Sequence, residues 1–138
     1  MADRALVIIT HGEFGIQIVK SAEMIMGEQE DVSALALRPG DSVDDLRAEA
    51  SAVVDNYKEA GKEVIILCDL LGGSPSNVAL YLAAKHDVKI FTGINLPMLI
   101  EMLQGYKNEE DTAALLARAE KTAIEGIRLL DRDFLKNR

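Results

Sequence analysis

Residues 5–26, ALVIITHGEFGIQIVKSAEMIM, change their hydrophobic period part-way along. Residues 5–10 form a continuous apolar run of strand length, which suits a strand buried on both faces. From residue 14 the apolar side chains fall at Phe14, Ile18, Ala22 and Ile25. That is the spacing of one face of a helix, and Gly27 is placed to end it. A buried strand running straight into a helix is half of a crossover unit. The short joint between them, Thr10-His11-Gly12-Glu13, carries one of the chain's 2 histidines.

The same alternation continues downstream. Residues 32–37 (VSALAL) predict a second strand, followed by a turn at Arg38-Pro39-Gly40-Asp41. Asp41 or Ser42 can cap a helix that runs to about residue 60, where Gly61 stops it. Residues 63–68 (EVIILC) predict a third strand and residues 69–74 (DLLGGS) a loop. Pro75 then stands as the first residue of a helix capped by Ser74 and running to about Lys85. A fourth strand is expected over 87–92, a turn through Gly93-Ile94-Asn95-Leu96, and a helix opened by Pro97. A further helix over about 109–125 would put Glu109, Glu110 and Asp111 in its first turn. Gly126 to Leu130 reads equally as a short strand or as the end of that helix; periodicity does not decide. Strands alternating with helices imply crossovers and a parallel sheet covered on both faces. The predicted fold is α/β, one doubly wound domain over residues 1–138, with a mainly parallel sheet in the order 2-1-3-4.

Composition narrows the classes of function. With 49% hydrophobic residues in 138 the chain has material for a full core, and with only 4% aromatics that core is aliphatic. The longest apolar runs are strand-sized, too short to span a bilayer, and the first residues lack the form of a secretory leader. The single cysteine, Cys68, allows no internal disulfide and fits a reducing compartment, so the expected location is cytoplasmic. A formal net charge of -8 repels phosphate backbones and argues against nucleic-acid binding.

The order 2-1-3-4 predicts where a site would lie. Strands 1 and 3 send their chains in opposite directions, so the loops part above their carboxyl ends and open a crevice. Strand 1 delivers Thr10, His11 and Gly12 there; strand 3 delivers Asp69, then Gly72, Gly73, Ser74 and Pro75. Neighbouring strands lie about 5 Å apart, so side chains at the two tips can touch. Taken singly, each residue is ordinary: a strand-end histidine, a turn aspartate, a glycine-rich helix entry. Their shared place is what matters. An imidazole nitrogen can act as nucleophile, and a carboxylate on the opposite ring N–H fixes the tautomer that frees it. Gly72 and Gly73 permit close backbone approach, and the helix start with Ser74 makes an anion cradle to which Thr10 could add a hydroxyl. No acidic cluster suggests a metal site, and no cofactor is expected. Cys68 reads as a small core residue.

Three blocks of the sequence resemble a known family. Ile9-Thr10-His11-Gly12 with Ala22-Glu23-Met24-Ile25-Met26-Gly27-Glu28-Gln29-Glu30, then Asp69-Leu70-Leu71-Gly72-Gly73-Ser74-Pro75-Ser76-Asn77, then Gly93-Ile94-Asn95-Leu96-Pro97-Met98-Leu99 are similar to the mannose-family enzyme IIA component of the bacterial sugar phosphotransferase system. Glu125-Gly126-Ile127-Arg128 is similar too, so the blocks run in order along almost the whole chain. The resemblance implies a phosphocarrier in which His11 takes a phosphoryl group from the carrier HPr, at Nε2, and passes it to a IIB component serving a membrane IIC–IID transporter. It implies that Asp69 orients the ring and that Ser74 lies near the phosphoryl oxygens. It places Phe14, Leu71, Asn95, Pro97 and Met98 on a partner-facing rim. It also implies a homodimer whose last short strand, about 126–130, is antiparallel and exchanged between subunits. Two positions depart from the family pattern: Glu13-Phe14 follows the His-Gly where some relatives carry an aromatic residue directly, and Leu71 stands where an aromatic is frequent. These bear on partner and sugar specificity rather than on chemistry. The alanine- and proline-rich linker and IIB domain of some relatives are not found up to Arg138, so a separate IIB partner is expected.

Three other readings compete. A receiver-like signalling module also uses an aspartate after strand 3, but needs an acidic pair after strand 1, where Thr10-His11 stand. The phosphocarrier subunit of a dihydroxyacetone kinase has serine after its histidine, where Gly12 stands, and lacks the full Gly-Gly-Ser-Pro block. A hydrolase triad of Ser74, His11 and Asp69 is disfavoured because Pro75 suits a capped helix start rather than a strained nucleophile turn.

Overall fold

The structure is a computed structural model that describes residues 3–137. Four strands, β1 (Arg4–His11), β2 (Val32–Leu37), β3 (Glu63–Cys68) and β4 (Val88–Phe91), form one parallel sheet in the order β2-β1-β3-β4. Helices α1 (Phe14–Met26), α2 (Val43–Glu59), α3 (Ser74–Lys85), α4 (Leu96–Gly105) and α5 (Thr112–Glu125) alternate with the strands and follow them, and a short α6 (Arg132–Lys136) closes the described chain.

Side chains in a strand alternate between the faces of the sheet. Leu6 and Ile8 of β1 and Ile65 and Leu67 of β3 therefore pack with α1, α4 and α5 in one core layer. Val7 and Ile9, with Val64, Ile66 and Cys68, pack with α2 and α3 in the other. Both layers are almost wholly aliphatic, as the low aromatic content requires. The parity of a strand residue thus decides which helical layer it meets, and this rule carries through to the tip of β1.

Local signals set the helix limits. Ser42 caps α2 by accepting the Asp45 N–H at 3.2 Å, and Asp44 and Asp45 occupy the first turn. Asn95 caps α4 by accepting the Met98 N–H at 2.9 Å. The helix expected from 109 starts at Thr112 instead: Asp111 is its cap, and its first turn contains no acid. The Asp111 side chain accepts the Ala113 N–H at 3.0 Å, and the buried Arg4 ties down the loop before it, donating to the Glu109 carbonyl at 2.6 Å and to Glu63 at 2.7 Å. The apolar stripe of α1 also buries less than its pattern suggests. Ile18 and Ala22 are in the core, whereas Phe14 and Ile25 at its ends stay exposed.

Residues 127–131 form neither strand nor helix, and Ile127, Leu129, Leu130 and Leu135 are exposed. Among the described residues no helix is long and apolar enough to cross a membrane.

Candidate functional site

β1 hands the chain to α1 on one face of the sheet; β3 hands it to α3 on the other. The crevice expected at this divergence lies between the tips of these two strands. His11 is the last residue of β1 and registers with Leu37 of β2. Being odd-numbered, it leaves the sheet on the side of Val7 and Ile9, where α3 begins. Gly12, at φ 55°, turns the chain away towards α1 immediately after it.

Asp69 follows β3 and meets His11 twice. Its Oδ2 accepts the ring Nδ1–H at 2.8 Å and the His11 backbone N–H at 2.9 Å, while Oδ1 accepts the Leu70 N–H at 2.9 Å. Burial pushes the Asp69 pKa up, but the hydrogen bonds from the His11 backbone, the His11 ring and the Leu70 N–H outweigh it and hold the carboxyl below its ordinary value. Asp69 is therefore ionised at neutral pH and can only accept. Nδ1 must carry a proton, and in the neutral imidazole this leaves the lone pair on Nε2. The exposures match this division: the His11 side chain is 48% exposed and that of Asp69 12%. Both carboxylate oxygens are engaged, which leaves Asp69 poorly placed to serve as a phosphoacceptor of the receiver type.

Gly73 forms the wall against the reactive edge of the ring. A Cβ at this position would lie 2.6 Å from His11 Cε1 and 2.9 Å from Nε2, so only glycine lets the α3 entry come this close. Gly73 is also the N-cap of α3, with Pro75 in the first turn. The N–H groups of a first turn have no helical partners and carry the positive end of the dipole. Nε2 thus sits beside a built-in site for negative charge.

Several expected roles change. Thr10 is fully buried on the opposite face from His11; its hydroxyl accepts the Gly15 N–H at 2.8 Å and donates to the His11 carbonyl at 3.2 Å. Its one proton is used inside the fold, so it has none for a phosphoryl group. Strand alternation is the cause: adjacent residues at a strand tip cannot face the same crevice. The side chain of Ser74 does not cap α3; it is the first helical residue, and among the described residues no hydrogen bond joins it to the ring. The hydroxyl that shapes the loop is that of Ser76, which sequence reasoning passed over. Serine at the third helical position, reaching back across the cap, was its signal. Met98 is 3% exposed and belongs to the core layer of α1, α4 and α5, so it cannot lie on a partner-facing rim. Asn95 is committed to the fold: besides its cap, it donates to the Ala123 carbonyl at 3.0 Å. Pro97 is half-buried and close to Gly126, where a Cβ would lie 2.6 Å from the proline Cγ.

Phe14, Leu70 and Leu71 are exposed, and all three are near neighbours of His11 or Asp69 along the chain. Glu13 and Arg38, both half-exposed, pair at 2.8 Å where α1 and the end of β2 meet. Cys68 lies under Asp69; burial first, and the nearby carboxylate second, push its thiol up to about 12, so it is an inert core residue.

Fold and site together define a doubly wound α/β domain with a histidine–aspartate pair at its topological switch point. The sequence model of the phosphotransferase-system fructose IIA component matches residues 5–120. The chain is 35% identical over 127 residues to the mannose-specific EIIAB component of Escherichia coli K12, covering 91% of this chain and 39% of that protein. It is 31% identical over 100 residues to the fructose-specific EIIA component of Bacillus subtilis, covering 72% of this chain and 68% of the relative. A solved structure of the phosphotransferase component EIIA from Streptococcus agalactiae superposes with a TM-score of 0.82 at 32% identity, over 91% of this chain and 95% of that one. The chain belongs to the mannose-family IIA components of the sugar phosphotransferase system. It spans 39% of the length of the E. coli relative.

Proposed function

We propose that this chain is a phosphocarrier: His11 accepts a phosphoryl group from the phosphohistidine of HPr and passes it to a IIB component. The observation that carries the reading is the state of the imidazole. Its Nδ1–H is held by an ionised carboxylate at 2.8 Å, while the ring is half-exposed and its Nε2 edge lies beside Gly73 at the start of α3.

The chemistry follows from that arrangement. The Nε2 lone pair attacks phosphorus in line with the bond to the donor nitrogen. The new N–P bond forms as the old one breaks, and the donor imidazole leaves with the electron pair. The Nδ1 proton stays on the ring, so the phosphorylated imidazole carries positive charge, which the Asp69 carboxylate stabilises. The phosphoryl oxygens face Gly73 and the first turn of α3, with the Ser74 backbone and hydroxyl beside them. Donor and acceptor are both histidines, so transfer is nearly balanced in free energy and the protein's contribution is alignment and local field. The half-exposed ring suits a group that two successive partners must reach. Exposed Phe14 and Leu71 support a partner-facing rim, with Leu70 beside them.

The same reading makes the chain one IIA domain working in the cytoplasm, bound to the transporter complex at the membrane only through its partners. It also makes it a homodimer. The exposed side chains of Ile127, Leu129 and Leu130, and the position of β4 at the sheet edge, support a terminal strand that pairs with a second subunit. An unpaired edge strand is a template for such addition.

Labelling with phosphoenolpyruvate, enzyme I and HPr tests the proposal. The wild-type chain takes up acid-labile, alkali-stable phosphate, and His11→Ala takes up none while keeping its circular dichroism spectrum. Undiminished labelling of the variant removes His11 from the mechanism.

A further inference from the structure

We infer that Ser76 is a positioning residue for the His11 imidazole, acting through the Gly72–Gly73 loop; its consequence for rate rests on the phosphocarrier reading, whereas its effect on the ring does not. Ser76 is 1% exposed. Its hydroxyl accepts the Gly72 N–H at 2.9 Å and donates to the Gly73 carbonyl at 3.0 Å, so one buried side chain grips both ends of the two-glycine segment. That segment needs an external hold. Gly72 adopts φ 107°, a region in which side chains are strained, and two successive glycines have more conformational freedom to lose than any other pair. The Asn77 N–H bond to the Gly73 carbonyl, at 3.0 Å, belongs to the helix and fixes only the carbonyl end of the segment.

The segment matters because Gly73 touches the reactive edge of the ring. Asp69 holds the Nδ1 edge, and Gly73 stands against Cε1 and Nε2. If the loop shifts, the wall shifts, and the ring gains room to tilt about its bond to Asp69. The arrangement resembles a capping box, in which the third helical residue reaches back to an N–H before the helix. Here the reach extends one residue further and steadies a loop that carries chemistry. A displacement of about 1 Å at a reacting nitrogen can cost up to about a hundredfold in rate.

The test is Ser76→Ala, read in two ways. Nitrogen-15 NMR of the His11 ring reports the tautomer and its exchange broadening. Labelling by phosphoramidate, a small donor that needs no protein partner, reports the rate. The expected result is a folded variant with a shifted or broadened Nδ1–H signal and labelling slower by about tenfold. A helix-capping role alone would lower the melting temperature and leave both readouts unchanged; ring signals as in the wild type with labelling within about twofold overturn the inference. Should the variant not fold, amide exchange in the wild-type chain decides. The Gly72 N–H is then expected to exchange at least about tenfold more slowly than an open loop amide, and an unprotected Gly72 N–H overturns the inference. If the wild-type chain is labelled neither by phosphoramidate nor by the full relay, the phosphocarrier reading fails, and the ring spectra of wild type and variant still decide the role of Ser76.

Discussion

His11 is held from both edges, and each hold has its own chemistry. Asp69 selects the tautomer; Gly73 limits the tilt. Asp69→Asn keeps the size of the side chain but removes the ionised acceptor, so the ring loses the partner that keeps the proton on Nδ1. The expected effect is labelling slower by about a hundredfold, measured with the full relay. The same residue sets a pH dependence. Its folded pKa is lowered, because hydrogen bonds from His11 and Leu70 outweigh the opposing effect of burial. A lowered folded pKa gives stabilisation that is complete above the ordinary carboxylate value, about 3.9, and is lost as pH falls through the folded value. Urea midpoints measured from about pH 7 down to about pH 3 should therefore fall more steeply for the wild type than for Asp69→Asn. Parallel curves would show that the carboxylate does not stabilise the fold in this way.

At the scale of elements, periodicity and caps were legible in the sequence. The limits of α1, β2 and β3 follow from changes of period and from glycines, and α2 follows from its serine cap, because these signals act within a few residues. The start of α5 was passed over although its signal was local: Asp111 is a capping residue directly before Thr112, while the loop ahead of it is held by Arg4, more than a hundred residues away in sequence. Asn95 shows how an element joint can pass for a surface feature. It caps α4 and ties it to the end of α5 at Ala123, so Asn95→Ala should destabilise the chain by about 1–2 kcal/mol in urea unfolding. Its phosphoramidate labelling should match the wild type. Equal stability of variant and wild type would contradict the structural role and return the residue to the rim.

For the whole molecule, the order β2-β1-β3-β4 makes the chemistry possible, since it sets the diverging ends of β1 and β3 side by side. It also leaves β4 at an edge, with an apolar tail following α5. Ile127, Leu129 and Leu130 are exposed together, and it is such a run of apolar side chains, rather than any one of them, that suits a surface another chain covers. Light scattering on the wild-type chain should report a dimer, and Leu129→Asp should shift it to a folded monomer. A wild-type monomer at the highest soluble concentration would rule out the exchanged strand.

Hydrophobic period, a local property, was enough for the α/β class and for placing His11 and Asp69 at the ends of two strands; their meeting was an expectation conditional on the order 2-1-3-4 that the fold adopts. Tertiary structure alone decided what these side chains meet. It tied the Thr10 hydroxyl to Gly15, buried Met98, and gave the hold on the glycine loop to Ser76 rather than Ser74. Strand alternation already set Thr10 on the face opposite His11, but the atoms each side chain then meets across space, which spent the Thr10 hydroxyl, buried Met98 and engaged Ser76, are encoded by no spacing along the chain.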